Sequence, residues 1–212
     1  MKALLHLKTS LFADQGVSSQ LAADLLSRIN PQGRHWTVTS RDFNHDPVPH
    51  LDATKLQALS TPAEKRDPRQ QAQVAYGDKL IAELQGAELI IIQAPMYNFG
   101  IPSMLKAWLD HVARAGVTFR YTAQGPVGLL TGKQVIVIAT SGGKHQAGQT
   151  DHVSPYLRTM LGFLGLTDVD WVYAQGLNMG EEQRAAGLKE ARRQIDALVA
   201  KLHLSALDRS AA

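Results

Sequence analysis

Cysteine is absent from this chain of 212 residues. That absence excludes disulfide scaffolds, thiolate zinc sites, cysteine-ligated iron–sulfur clusters, thiol nucleophiles and CxxC redox pairs. Any redox work must therefore run through a bound cofactor. Charge of one sign is lacking too: 22 Lys+Arg against 19 Asp+Glu leave a formal +3. Segments such as Lys189-Glu190-Ala191-Arg192-Arg193 mix both signs, so no basic stripe stands ready for phosphate backbones and no nucleic-acid partner is expected. No apolar run approaches the roughly 20 residues of a membrane span. The N-terminus, Met1-Lys2-Ala3-Leu4-Leu5, lacks the features of a secretory signal and reads as a strand, so a cytoplasmic protein with no membrane partner is expected. What remains, 44% hydrophobic and 19% charged residues, is the balance of a globular core.

Strand-like and helix-like periods alternate along the chain. Residues 3–9 read as a strand, and Leu21, Ala22, Leu25, Leu26 and Ile29 recur at helical spacing behind Ser18-Ser19, which are placed to cap the helix. Residues 35–43 read as a second strand. The stretch 44–67, with Pro47, Pro49 and Pro62, reads as a long excursion holding one helical turn near Asp52–Leu59. Pro68 opens a long helix to Gln85, and Leu89-Ile90-Ile91-Ile92 is continuous enough to be a strand buried on both faces. Pro102 opens a helix over 102–114, and Val135-Ile136-Val137-Ile138 is another buried strand. Ser154-Pro155 reads as a cap and first turn, Val169–Ala174 as a fifth strand, and Leu188, Ala191, Ile195, Leu198 and Leu202 mark a final amphipathic helix. The expectation is one α/β domain over 1–204, a doubly wound five-stranded parallel sheet with helices on both faces. Residues 205–212 are expected to fray.

Several catalytic signatures are missing. There is no GxGxxG, GxSxG or HExxH, and Thr131-Gly132-Lys133 fails as a P-loop because Val127 and Gln134 replace the required glycine and hydroxyl. His145 and His152 beside Asp151 could in principle hold a metal, but lone histidines in a polar loop are far more often solvated or hydrogen-bonding, and no metal is expected. In a doubly wound sheet ligands bind outside the carboxyl ends of the strands, which directs attention to three loops. Thr9–Ser19 offers hydroxyls at Thr9, Ser10, Ser18 and Ser19 before a helix start, where free amides and the helix dipole attract phosphate. Ala94-Pro95-Met96-Tyr97-Asn98-Phe99-Gly100-Ile101-Pro102 is stiffened by prolines and carries aromatic residues where a surface loop is usually polar, which suits a flat heterocycle. Thr140-Ser141-Gly142-Gly143 brings glycines where backbone amides can approach a ligand. A ligand with a phosphate at one end and a flat, polar-edged ring at the other is implied, and flavin mononucleotide (FMN) fits.

Three runs then become recognisable: Pro95-Met96-Tyr97-Asn98-Phe99; Arg114-Ala115-Gly116-Val117-Thr118-Phe119-Arg120-Tyr121; and Pro155-Tyr156-Leu157 with Leu161-Gly162-Phe163. Together they resemble the bacterial FMN-dependent NADH-azoreductases, within the flavodoxin-like quinone reductases. The resemblance implies a flavodoxin-like fold and a homodimer with one tightly bound FMN per subunit and its active site at the interface. It implies two-electron reduction of quinones and azo dyes with NADH or NADPH as donor. Hydride chemistry would be carried by FMN, with no catalytic side chain. Donor and acceptor would share one pocket, giving ping-pong kinetics. By the same resemblance Ser10, Gly16, Val17 and Ser18 hold the phosphate. Met96, Tyr97, Asn98 and Phe99 line the isoalloxazine, and Thr140, Ser141, Gly142 and Gly143 contact its pyrimidine edge. His145 is placed to bond the flavin's carbonyl edge, and Tyr121 and Phe163 line the substrate pocket. Two departures stand out: Gly16-Val17-Ser18 replaces the family's Ser-Gln-Ser, and Thr140-Ser141-Gly142-Gly143 replaces Ser-Arg-Gly-Gly. The alternative is a flavodoxin-type electron carrier, disfavoured by a pI near 9.2 and the aromatic lining. A receiver-type signalling domain is rejected because Gln93-Ala94-Pro95 lacks a phosphoacceptor aspartate.

Overall fold

A computed structural model describes residues 1–145 and 149–210, apart from the side chains of 204–210. Five parallel strands form the central sheet: β1 (Lys2–Lys8), β2 (Trp36–Asp42), β3 (Leu89–Pro95), β6 (Gln134–Thr140) and β7 (Asp168–Ala174). Their spatial order is β2-β1-β3-β6-β7. A separate antiparallel hairpin joins β4 (Phe119–Thr122) to β5 (Gly125–Gly128). The α-helices are α1 (Val17–Ile29), α2 (Ala53–Ser60), α3 (Pro68–Gly86), α4 (Ser103–Val112), α5 (Val153–Leu164) and α6 (Glu181–Ser210).

Alternation along the strands divides the core. Leu4, Leu89, Ile91, Ile136 and Ile138 face α1 and α6, where they meet Leu21, Leu25, Ile29, Ala191, Ile195 and Leu198. Leu5, Leu7, Ile90, Ile92, Val135 and Val137 face the other way, onto Leu80, Leu84, Leu105, Trp108, Leu157 and Leu161 of α3, α4 and α5. Each such side chain contributes roughly 1.5–3 kcal/mol by leaving water, so helices on both faces stabilise the continuous apolar strands read from sequence.

Local chemistry sets most helix starts. Asp67 and Gln70 form a reciprocal capping box with Pro68 at the first turn of α3, and the Asp52 carboxylate accepts from the Lys55 amide at α2. Three starts differ from expectation. Helix α1 begins at Val17 with Gly16 as its cap residue, and no side chain caps it, so Ser18 and Ser19 lie inside the first turn. Helix α5 is capped from Asp151, whose carboxylate accepts from the amides of Val153 and Ser154, each at 3.0 Å; Ser154 is therefore a helical residue. Pro102 precedes α4 in an extended conformation rather than lying within it. Helix α6 continues to Ser210, into the expected tail, while 211–212 lie outside the described residues.

The β4–β5 hairpin was not foreseen, because its strands of four residues are too short to register a period. It docks on the end of α5, with the Leu130 amide donating to the Leu164 carbonyl at 2.9 Å. A Cβ on Gly128 would stand 2.0 Å from the Gly165 nitrogen, so only glycine allows that backbone approach. Gly128→Ala is expected to lower stability by about 1–3 kcal/mol in urea denaturation, the usual cost of overpacking; an unchanged midpoint would contradict this docking.

Candidate functional site

The chain passes from β1 to β2 on one side and then to β3 on the other, so the crevice lies where the carboxyl ends of β1 and β3 separate. Three loops meet around it. In the first, the Ser10 hydroxyl accepts from the Phe12 amide at 3.3 Å, and the Asn44 side chain donates to the Ser10 carbonyl at 2.7 Å. A Cβ on Gly16 would fall 2.0 Å from Ser10 Oγ, so a larger residue here requires the Ser10 hydroxyl to turn away; the Gly16 φ of −66° suits any residue. The first intrahelical bond of α1 runs from Gln20 to the Gly16 carbonyl, leaving the amides of Val17, Ser18 and Ser19 without helical partners. The first turn holds no acidic residue. Ser18 is buried at 1% exposure, and its hydroxyl has no hydrogen-bond partner.

The second loop is a tight two-residue turn. Tyr97 and Gly100 exchange both backbone hydrogen bonds at 3.0 Å, and Asn98 and Phe99 between them have φ of 49° and 67°. Asparagine tolerates this left-handed region, but a bulky ring there is strained by about 1–2 kcal/mol. The turn is over-determined by its surroundings: Met96 donates to the Thr140 carbonyl at 2.8 Å, and Tyr97 Oη accepts from the Leu11 amide at 3.0 Å. It holds the Phe99 ring 56% exposed at the rim.

The third loop follows β6. Thr140 and Ser141 are buried, and the Ser141 hydroxyl donates to the Gly143 carbonyl at 2.8 Å. Gly142 lies against the Asn178 side chain, whose Nδ2 would stand 2.6 Å from an added Cβ. The His145 amide donates to Gln175 Oε1 at 3.3 Å, its ring meets Phe99 edge-on at 5.9 Å, and its Nδ1 is buried without a partner.

Tyr121 and Phe163 do not join this constellation within the chain. Phe163 packs on Phe119 at 4.2 Å between ring centroids, and Phe119 meets Tyr121 edge-on at 5.4 Å. The cluster sits where α5 ends, before β7 begins, which is the amino edge of the sheet and opposite the three loops. A cavity of about 1130 Å³ also lies at that amino edge, lined by Lys2, Arg34, Trp36, Lys133 and Asp168 among others, remote from the crevice. Among the described residues no three His, Asp or Glu side chains converge as metal ligands, and no helix is long and apolar enough to cross a membrane.

Residues 2–199 match the Flavodoxin_2 family, described as having a flavodoxin-like fold. The chain belongs to this family. Among its relatives, an FMN-dependent NADH:quinone oxidoreductase of Cellvibrio japonicus is 51% identical over 200 residues, covering 94% of this chain and all of that protein. One of the same name from Shewanella denitrificans is 48% identical over 200 residues, with the same coverage of this chain and 100% of its own. A solved FMN-dependent NADH-azoreductase from Bacillus anthracis, in complex with FMN, superposes with a TM-score of 0.84 at 26% identity, covering 95% of this chain and 99% of that one.

Beneath the first loop, this flavodoxin-like chain carries a buried polar relay that periodicity did not single out. Ser19 Oγ donates to Gln93 Oε1 at 3.0 Å, Gln93 Nε2 lies 3.0 Å from His6 Nε2, and Thr9 Oγ1 donates to the Gln93 carbonyl at 2.6 Å. Thr9 and Ser19 are therefore committed to the sheet, and Ser18 is left as the first turn's free hydroxyl. The one available signal was a glutamine ending an otherwise apolar strand. With Oε1 occupied as acceptor, Gln93 must donate to His6, which fixes a neutral imidazole protonated on Nδ1. Burial, with Lys8 nearby and Asp42 opposing, pushes the His6 pKa down to about 4. Between pH 6.5 and 4 the unfolded chain binds a proton at His6 and the folded chain does not, so this residue removes stability as pH falls. Relative to His6→Leu, the wild-type chain is expected to lose about 2 kcal/mol between pH 7 and pH 5; parallel stability profiles for the two would refute the neutral buried histidine.

Proposed function

We propose that this chain is an FMN-dependent NADH oxidoreductase that reduces quinones by two electrons and reductively cleaves aromatic azo compounds, working in the cytoplasm. The observation that carries the reading is the buried, unpartnered Ser18 hydroxyl in the acid-free first turn of α1, across the crevice from a rigid aromatic turn. Free amides, a hydroxyl and the positive end of a helix dipole form a donor set for a dianionic phosphate, and the aromatic turn suits a flat ring. When bound, FMN supplies the two-electron chemistry between NADH and the acceptor.

The residues do the positioning. Ser10, Ser18 and the amides of Val17, Ser18 and Ser19 hold the phosphate, with Gly16 as the cap residue that leads into that turn and its own amide bonded to the Ala13 carbonyl; Met96, Tyr97, Asn98 and Phe99 line the isoalloxazine. Thr140, Ser141, Gly142, Gly143 and His145 meet its polar edge, with the unpartnered His145 Nδ1 available there. Tyr121 is 74% exposed on a projecting hairpin, and with Phe163 it is assigned to the pocket of a second copy in a homodimer. Two copies thus complete each other's sites, excluding water from the reacting centre.

The purified protein is expected to show flavin absorbance that bleaches with NADH and recovers with benzoquinone, with no partner protein added. A colourless protein that gains no NADH oxidation with added FMN would overturn the reading, and a requirement for a protein acceptor would favour the electron carrier. Because donor and acceptor use one pocket in turn, double-reciprocal plots at varied NADH and quinone are expected to be parallel; intersecting lines would refute a shared pocket.

A further inference from the structure

Gln93 is fully buried, and its side-chain oxygen, side-chain nitrogen and backbone carbonyl are all engaged. A buried amide is costly unless every group is satisfied, so the relay acts as one rigid unit. It lies at the switch point. His6 of β1 pairs with Ile91 of β3 in the sheet, and the side chains of Leu89 and Ile91 face α1, as Gln93 must by alternation. Its amide therefore meets the first turn of α1 from below. Through Ser19 it ties that turn to β3, and through Thr9 it ties the start of the loop to the same residue. What the relay leaves unbonded is what an anion needs: the Ser18 hydroxyl and the amides of Val17, Ser18 and Ser19.

We infer that Gln93 is a positioning residue for the cofactor phosphate: by holding the Ser19 and Thr9 hydroxyls on the sheet, it fixes the first turn of α1 so that Ser18 and the free amides face the anion. This rests on the phosphate reading given above. Gln93 touches no part of the cofactor and acts through Ser19 and Thr9. An apolar side chain at this position would leave the Ser19 hydroxyl free to rotate and to compete for the same amides.

The test compares two flavins that differ only in the phosphate. The full chain, stripped of flavin, is titrated with FMN and with riboflavin by flavin fluorescence, and the ratio of the two dissociation constants is read. Gln93→Leu and Ser19→Ala are each expected to narrow the preference for FMN about 3- to 10-fold, the scale of one hydrogen bond, with riboflavin affinity unchanged within about twofold. Ser18→Ala serves as the control for the underlying reading and is expected to narrow it about 10-fold. If Ser18→Ala leaves the preference intact, the phosphate reading falls and this inference with it. If Ser18→Ala narrows the preference but Ser19→Ala does not, or if both flavins weaken equally in Ser19→Ala, the phosphate reading stands and the role given to Gln93 is wrong. A folded Gln93→Leu that keeps the full preference likewise refutes the role given to Gln93; where Gln93→Leu fails to fold, Ser19→Ala decides.

Discussion

The parallel pairing of β1 with β3 is the contact on which the remaining structure depends. β2 takes one side of β1 and β3 the other, so the connections leaving β1 and β3 turn to opposite faces, α1 to one and α4 to the other. Parallel strands permit no short return, and each crossover must carry a helix that covers the sheet. Where the two crossovers part, the strand ends are left uncovered. The same geometry that buries the apolar ladder therefore leaves one crevice, floored by backbone groups that the sheet does not use.

Polar chemistry is concentrated at that crevice and neutral beneath it. The α1 dipole presents its positive end with no carboxylate in the first turn, and the buried histidine below carries no charge at neutral pH. A protonated imidazole would force the Gln93 amide to turn over, so that the Ser19 hydroxyl would accept from it rather than donate to it. Across the crevice, Phe99 sits in a backbone region that costs energy for its side chain, and it stays there because Tyr97, Gly100, Leu11 and Thr140 fix the turn around it. Rigidity here has a physical purpose: a ligand that meets a preformed turn costs less ordering entropy on binding.

Within a single chain the aromatic groups are divided between two ends of the sheet. Met96, Tyr97 and Phe99 are at the carboxyl edge, whereas Phe119, Tyr121 and Phe163 form their own cluster where the hairpin docks on α5. The hairpin leaves Tyr121, Val127 and Leu129 exposed. The proposed second copy would bring such a surface over a crevice, and would account for apolar residues that a lone domain gains nothing by exposing.

The sequence by itself determined the layer architecture, because hydrophobic period reports directly which face of each element is buried. Leu89–Ile92 and Val135–Ile138 are apolar throughout, and Leu188, Ala191, Ile195 and Leu198 mark one helix face; the sheet and α6 follow. It also located the three loops, since prolines, glycines and hydroxyls cluster at strand ends. Tertiary structure alone decided which of those groups are free. Ser18 and Ser19 are adjacent and chemically identical, yet one hydroxyl is orphaned and the other is bound to Gln93, 74 residues away. Gly142 also lies close against Asn178, a neighbour no local pattern announces, while Ser154 yielded its capping role to Asp151. Four-residue hairpin strands left no period to read. Burial is a property each residue signals through its neighbours in sequence, whereas a hydrogen bond depends on where a distant partner comes to rest, and no local pattern carries that information.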